Sequence, residues 1–238
     1  MYSKIPMPKI EWDEKSMKYV MCFFPLVGLL IGAVMYAAAS VMLHYNANPL
    51  LFAAVMSVIP IIITGGIHLD GFIDTADALS SYGDKDKKLE IMKDPHVGAF
   101  AIIWTAVYFV LSLGIWSTVE QKDLPLIAAG FVMSRALSGM SVICFKCAKN
   151  SGLAYMFKDA AHKKRVRLVL MLWLMLVVTG IFIFDIKRAA AMFAAAAVIF
   201  LWHYYNCRKN FGGITGDLAG CFLVVCEMAI ILSIAIVP

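Results

Sequence analysis

This sequence is poor in charge. Only 16% of its 238 residues are Asp, Glu, Lys or Arg and 62% are apolar, whereas soluble domains carry about 25% charged residues. A soluble globular enzyme is thereby excluded. So is a disordered chain, which needs low hydrophobicity, and with 16 Gly and 8 Pro the composition is not collagen-like. No period of about 20 to 50 residues repeats, which excludes a solenoid. The N-terminus lacks the order of a cleaved signal, since Glu11, Asp13 and Glu14 precede the first apolar run, so that run is expected to stay. Of the six cysteines, Cys22, Cys144, Cys221 and Cys226 lie within apolar runs and behave as small hydrophobes. Cys144 and Cys147 form a CxxC, but no second pair or nearby His completes a zinc set.

What is present is a series of long apolar runs, at 20–43, 49–67, 99–119, 125–145, 168–184, 189–205 and 218–237. A bilayer core of about 30 Å needs about 20 helical residues per crossing. The chain therefore reads as all-α, one integral membrane domain over residues 1–238, a polytopic bundle of about seven transmembrane helices. Lys and Arg number 4 before the first run, 0 after it, then 4, 1, 7, 2, 2 and 0, with Arg135 inside the fourth run. Alternate segments thus carry 17 basic residues on one side and 3 on the other. The positive-inside rule then puts the N-terminus in the cytoplasm and the C-terminus outside. On this reading the net charge of +5 records topology and gives no support to a nucleic-acid partner.

Three hydrophilic stretches fall on the cytoplasmic side. The first, 67–98, holds seven of the sixteen acidic residues. In a helix beginning near Asp70, residues Asp70, Asp74 and Asp77 fall at i, i+4 and i+7 on one face. Three aligned carboxylates repel one another unless a cation sits among them, and hard oxygen ligands with few companions suit Mg²⁺ completed by substrate phosphates. A solvated acidic face is the alternative, but these carboxylates follow Gly65 and Gly66 at the end of a membrane run and alternate with Phe72, Ile73, Ala76 and Ala78. His68 could serve as a general base, a ligand or a structural residue. Asp84 and Asp86, interleaved with Lys85, Lys87 and Lys88, read as a solvated face. Lys93, Asp94 and His96 crowd around Pro95 just ahead of the third run; they suit a substrate site, or Asp94 caps the helix that follows.

The second stretch, 146–167, carries seven basic residues. Its Lys163, Lys164, Arg165 and Arg167 suit anionic lipid. In the third stretch, Gly212, Gly213 and Thr215 lead into Asp217 at the head of the last run. Glycine-rich backbone at a helix start can approach a phosphate closely, although a plain turn explains it too. Asp217 would add a further metal carboxylate. Arg135 and Glu227 lie inside apolar runs, where a charge must pair or face a cavity; either they pair with each other or Arg135 helps hold an anionic substrate.

With these residues assembled, the chain resembles the cobalamin 5′-phosphate synthase family, also called adenosylcobinamide-GDP ribazoletransferases. The matching segments are FFPLVGLLIG (23–32), GGIHLDGFIDTADAL (65–79), IMKDPHVGAFA (91–101), Arg135 and GGITGDLAG (212–220). The resemblance implies a multi-pass enzyme of the bacterial cytoplasmic (inner) membrane, with its site facing the cytoplasm. It implies attack by a ribose hydroxyl of α-ribazole, or of its 5′-phosphate, on the phosphate joined to cobinamide, with expulsion of GMP. Mg²⁺ is the implied cofactor. Catalytic roles would fall to His68, Asp70, Asp74 and Asp77, metal ligation to Asp70, Asp74, Asp77 and Asp217, and substrate binding to Lys93, Asp94, His96, Arg135, Lys149, Gly212, Gly213 and Thr215. The implied partners are the corrinoid nucleotide, α-ribazole and membrane lipid; a homo-oligomer and association with other cobalamin-assembly enzymes are left open. The chain departs from the family pattern at Ala78, where Gly is usual, and at His96 and Lys149, where Arg is common. At Lys149 a point charge replaces a bidentate fork.

Two other readings compete. A CDP-alcohol phosphatidyltransferase also uses an Asp-rich membrane motif, but its Ala-Arg pair has no counterpart after Asp70 and Gly71. A secondary transporter predicts inverted repeats and polar residues at the bilayer midplane, whereas the polar clusters here gather on one side.

Overall fold

A computed structural model describes residues 17–237. A 3₁₀ turn, Val20–Phe23, leads into α1 (Phe24–His44), and a second, Gln121–Asp123, precedes Leu124. There follow α2 (Pro49–Thr64), α3 (Ile67–Ser80), the short α4 (Lys85–Ile91), α5 (Ala99–Trp116) and α6 (Leu124–Cys144). Another short helix, α7 (Leu153–Ala160), precedes α8 (Lys163–Phe184), α9 (Ile186–Asn210) and α10 (Gly216–Ile236). Among the described residues the only β pairing is an isolated bridge between Cys147 and Ile214. The all-α membrane architecture is as the apolar runs imply. Six helical stretches are long and apolar enough to cross a membrane, and α2 with α3 makes a seventh only as a pair bent by 99°.

That bend is written in local chemistry. Asn48 caps α2 through its side-chain oxygen, which accepts from the Leu50 amide at 2.9 Å, and Pro49 follows at the first helical position. At the far end Gly65 (φ 68°) and Gly66 (φ 82°) are both left-handed, a conformation costly for any residue with a Cβ. Two such residues in succession turn the chain sharply. α3 thus leaves α2 at a steep angle and packs against α5 and the first turns of α10.

Helix α6 is the axis of the bundle, buried along most of its length. α1 crosses it through Gly28 and Gly32, a GxxxG pair whose added Cβ atoms would strike the backbone of Phe131 and Ala128. Without a hydrophobic drive between helices in lipid, such backbone approach is what holds the pair together. Away from the acidic row, the bundle is tied by a buried ion pair, Arg188 to Asp123 at 2.7 Å.

Two helices extend five residues beyond their apolar runs. α8 begins at Lys163, so Lys163, Lys164, Arg165 and Arg167 form its first turns, and Arg165 donates to the Tyr19 hydroxyl at 3.0 Å. Cations at a helix N-terminus oppose the dipole, but tertiary placement prevails. α9 continues to Asn210, five residues past its apolar run, because a helix needs no apolar side chains once it leaves the hydrocarbon.

Candidate active site

The site grows from α3. His68, Gly71, Thr75 and Ala78 are its buried face, and Asp70, Asp74 and Asp77 occupy the other side. The helix starts at Ile67, three residues before Asp70, and the i, i+4, i+7 alignment survives. A Cβ on Gly71 would lie 2.6 Å from the Asp217 carbonyl oxygen, so α3 crosses the first turn of α10 backbone to backbone. This crossing brings Asp217 to the acidic row. Burial first, then the charges of Asp70, Asp217 and Asp77, push the Asp74 carboxyl up to about 6. Gly98, which opens α5, lies so close to Asp77 that a Cβ there would strike both carboxylate oxygens.

Beside the row the second and third stretches are laced together. Ile214 donates to the Lys146 carbonyl at 2.7 Å and Ala148 to the Ile214 carbonyl at 3.0 Å. Between them and α4 opens a cavity of about 250 Å³ whose lining includes Leu89, Lys93, Lys149, Thr215 and Asp217. Lys149 donates to the Leu89 carbonyl at 3.4 Å. Partial desolvation, and then the adjacent Lys93, lower its ammonium from the usual range. Two ammonium groups held side by side next to a carboxylate row make a place for an anion that also binds a cation.

Comparison with known proteins settles the lineage. Residues 1–235 match the cobalamin-5-phosphate synthase family. The chain belongs to that family. It is 45% identical over 236 residues to an adenosylcobinamide-GDP ribazoletransferase of Lachnoclostridium phytofermentans, covering 99% of this chain and 90% of the relative. A relative of that name from Clostridium perfringens strain 13 is 35% identical, covering 100% of this chain and 95% of its own. One from Desulfitobacterium hafniense is 31% identical, with 97% and 92% covered. No solved structure matches. Membership in the cobalamin-5-phosphate synthase family disfavours the phosphatidyltransferase and transporter readings.

The segments that carry the family resemblance fold as the corner with α3, the turn before α5, the start of α10, and the GxxxG of α1. Several residues singled out in them lie elsewhere than the row and the cavity. His68 is buried on the opposite face of α3, its ring 6.4 Å from that of Phe24 and its Nε2 without a partner. That placement sets it on the face of α3 opposite the carboxylate row. Arg135 pairs with Glu227 and donates to Ser134 at 3.0 Å, the structural alternative of the two. Asp94 does not cap α5, whose N-cap is Gly98 with no side-chain bond; it accepts instead from the His96 amide at 2.9 Å and meets His96 Nδ1 at 2.7 Å, both side chains exposed. Those bonds from His96 hold the Asp94 carboxyl below its usual range.

Gly213 abuts the backbone of Cys147 and Ala148, which accounts for a glycine there without a phosphate. Gly212 supplies a left-handed turn at φ 72°. The Thr215 hydroxyl accepts from the Leu218 amide at 3.2 Å and caps α10 while its residue lines the cavity. Asp84 caps α4 through the Lys87 amide at 2.9 Å, in keeping with a solvated face. Among the described residues no three His, Cys, Asp or Glu side chains converge as a ready-made metal cage. Sequence reasoning missed Gly98, whose signal is only its distance of one short turn from Pro95, and the buried His203, which meets Ser141 at 3.3 Å.

Proposed function

We propose that the chain transfers the adenosylcobinamide phosphate of adenosylcobinamide-GDP to α-ribazole or its 5′-phosphate. The ribose hydroxyl oxygen bonds to the phosphorus attached to cobinamide, the bond from that phosphorus to the bridging oxygen breaks, and GMP departs with the electron pair. Adenosylcobalamin or its 5′-phosphate remains. The observation that carries this reading is the juxtaposition of Asp70, Asp74, Asp77 and Asp217 with the cavity containing Lys93 and Lys149. Phosphoryl transfer asks for positioning and charge neutralisation more than for covalent chemistry, and these are the groups that supply both.

The donor set fits Mg²⁺. It consists of hard carboxylate oxygens, and the ion is commonly held by one or two carboxylates with substrate phosphates and water completing the octahedron, so an open row suits it better than a closed cage. Asp70, Asp74, Asp77 and Asp217 would hold it. When bound it neutralises charge on the diphosphate and the departing GMP. Lys93 and Lys149 bind the diphosphate from the cavity side. A carboxylate of the row that is not engaged by the ion would accept the proton of the attacking hydroxyl.

We further propose that this end of the bundle faces the cytoplasm of the bacterial inner membrane, a reading supported by the 17 to 3 division of basic residues. Cysteines placed at Ser81, Lys158 and Lys209 should label from that side alone. The activity is tested with purified protein in detergent, following GMP release from adenosylcobinamide-GDP. Release should require both α-ribazole and Mg²⁺, and release indifferent to α-ribazole would overturn the transferase reading.

A further inference from the structure

A second polar place lies inside the bundle, away from the acidic row. It is a cavity of about 40 Å³ whose lining includes Ser57, His68, Tyr108, Ser112, Arg135 and Glu227. Some of these groups satisfy one another: Ser57 and Ser112 share a hydrogen bond of 2.7 Å, and one nitrogen of Arg135 serves Glu227 and Ser134. Two do not. His68 Nε2 and Arg135 Nε are buried with no hydrogen-bond partner, in residues only 7% and 1% exposed. Buried in the bundle, such groups are cut off from bulk solvent, and an orphaned nitrogen there is costly.

We infer that this cavity is a hydration site inside the membrane bundle. A water molecule needs about 10–15 Å³ and two to four polar partners, so the cavity has room for more than one. Water fits the orphaned groups better than an ion does. Arg135 Nε requires an acceptor, whereas His68 Nε2 donates or accepts according to tautomer, and a water chain meets either demand. The charge of Arg135 is already balanced by Glu227, which leaves no net charge to hold a chloride or phosphate. The hydrated cavity thus supplies the missing partner for the buried face of α3, on the reverse of the carboxylate row. This inference is independent of the proposed reaction.

Hydroxyl-radical footprinting tests it without an activity assay. Radicals generated from ¹⁸O-labelled water oxidise side chains beside bound water even where bulk solvent does not reach. Met56 lines the cavity and is fully buried; Met35, Met133 and Met192 are as buried and line no part of it. In the intact protein in nanodiscs, Met56 should take up ¹⁸O several-fold faster than those three. Equal or slower uptake would overturn the hydration site. Ser112→Leu fills the cavity, and in folded protein should bring Met56 down to the rate of the controls; undiminished uptake there would remove the water from this cavity. Should that variant not fold, the comparison within the unaltered protein decides.

Discussion

Gly98 opens α5 directly against the carboxylate of Asp77, and a methyl group on Gly98 would collide with both of its oxygens. The backbone there is ordinary, so the glycine is needed for space alone. Gly98→Ala should displace the Asp77 carboxylate while leaving the helix intact, and a misplacement of about 1 Å at a reacting centre costs up to about a hundredfold in rate. Gly114→Ala, on the same helix with nothing near its Cβ position, should leave GMP release unchanged. Equal activity of the two variants would show that Asp77 has no part in the reaction.

Asp74→Asn keeps the size of the side chain and its capacity for hydrogen bonding but removes one charge from the middle of the row. Turnover should fall by roughly a hundredfold or more, in line with the several kcal/mol a Lewis-acid metal supplies. Excess Mg²⁺ should restore part of it. Full GMP release by folded Asp74→Asn protein at ordinary Mg²⁺ would refute the metal assignment.

Proton and cation compete for the same row. Asp74 is raised from 3.8 to about 6 by burial and by Asp70, Asp217 and Asp77, so the folded protein binds this proton more tightly than the unfolded chain. Its contribution to stability is therefore fully present below the ordinary carboxylate pKa and is lost as pH rises through about 6. Mg²⁺ should take the place of the proton. Thermal unfolding in detergent should show a larger Mg²⁺-induced rise in Tm above pH about 7 than below pH about 5, and Asp74→Asn should flatten the difference.

Helix positions and the acidic face were legible from the sequence because both depend on short-range periodicity. Asp70, Asp74 and Asp77 align through helix geometry alone, whatever packs around them. Closure of the site was not legible, because Gly71 against Asp217 and Ile214 against Lys146 join residues remote in sequence. His68 shows the limit most plainly. Two residues from Asp70 in a helix is about 200° of rotation, which sends its ring to the opposite face, and proximity in sequence misleads there. Arg135 and Glu227 could be recognised as needing partners, but only the packing of α6 on α10 shows that they find each other.

Lys149 and the basic turn of α8 should separate by function. Lys149 lines the cavity beside Lys93, whereas Lys163 and Lys164 are exposed at the start of a membrane helix. Lys149→Ala should raise KM for the GDP-activated corrinoid with little change in kcat. Neutralising Lys163, Lys164 and Arg165 together should alter the dependence on anionic lipid, at about 1 kcal/mol per charge near the surface. Loss of corrinoid binding in detergent by the triple variant would reverse this division.

The Arg135–Glu227 pair distinguishes a structural charge from a substrate contact. Arg135 is 1% exposed and Glu227 14%, so Glu227→Gln strands a guanidinium in the bundle and should cost about 3–5 kcal/mol, the usual penalty for breaking a buried pair. Replacing both partners by apolar residues of similar volume, Arg135→Met with Glu227→Leu, removes the stranded charge and should recover most of the lost stability, since such replacement is commonly neutral. If the pair only holds α6 to α10, KM for the corrinoid should stay near its original value in the double variant while Tm recovers. A guanidinium that also touched the diphosphate would differ in KM alone, with Tm restored but KM raised. That outcome would return Arg135 to the substrate-binding residues and would require the acidic row and the interior of the bundle to communicate during turnover.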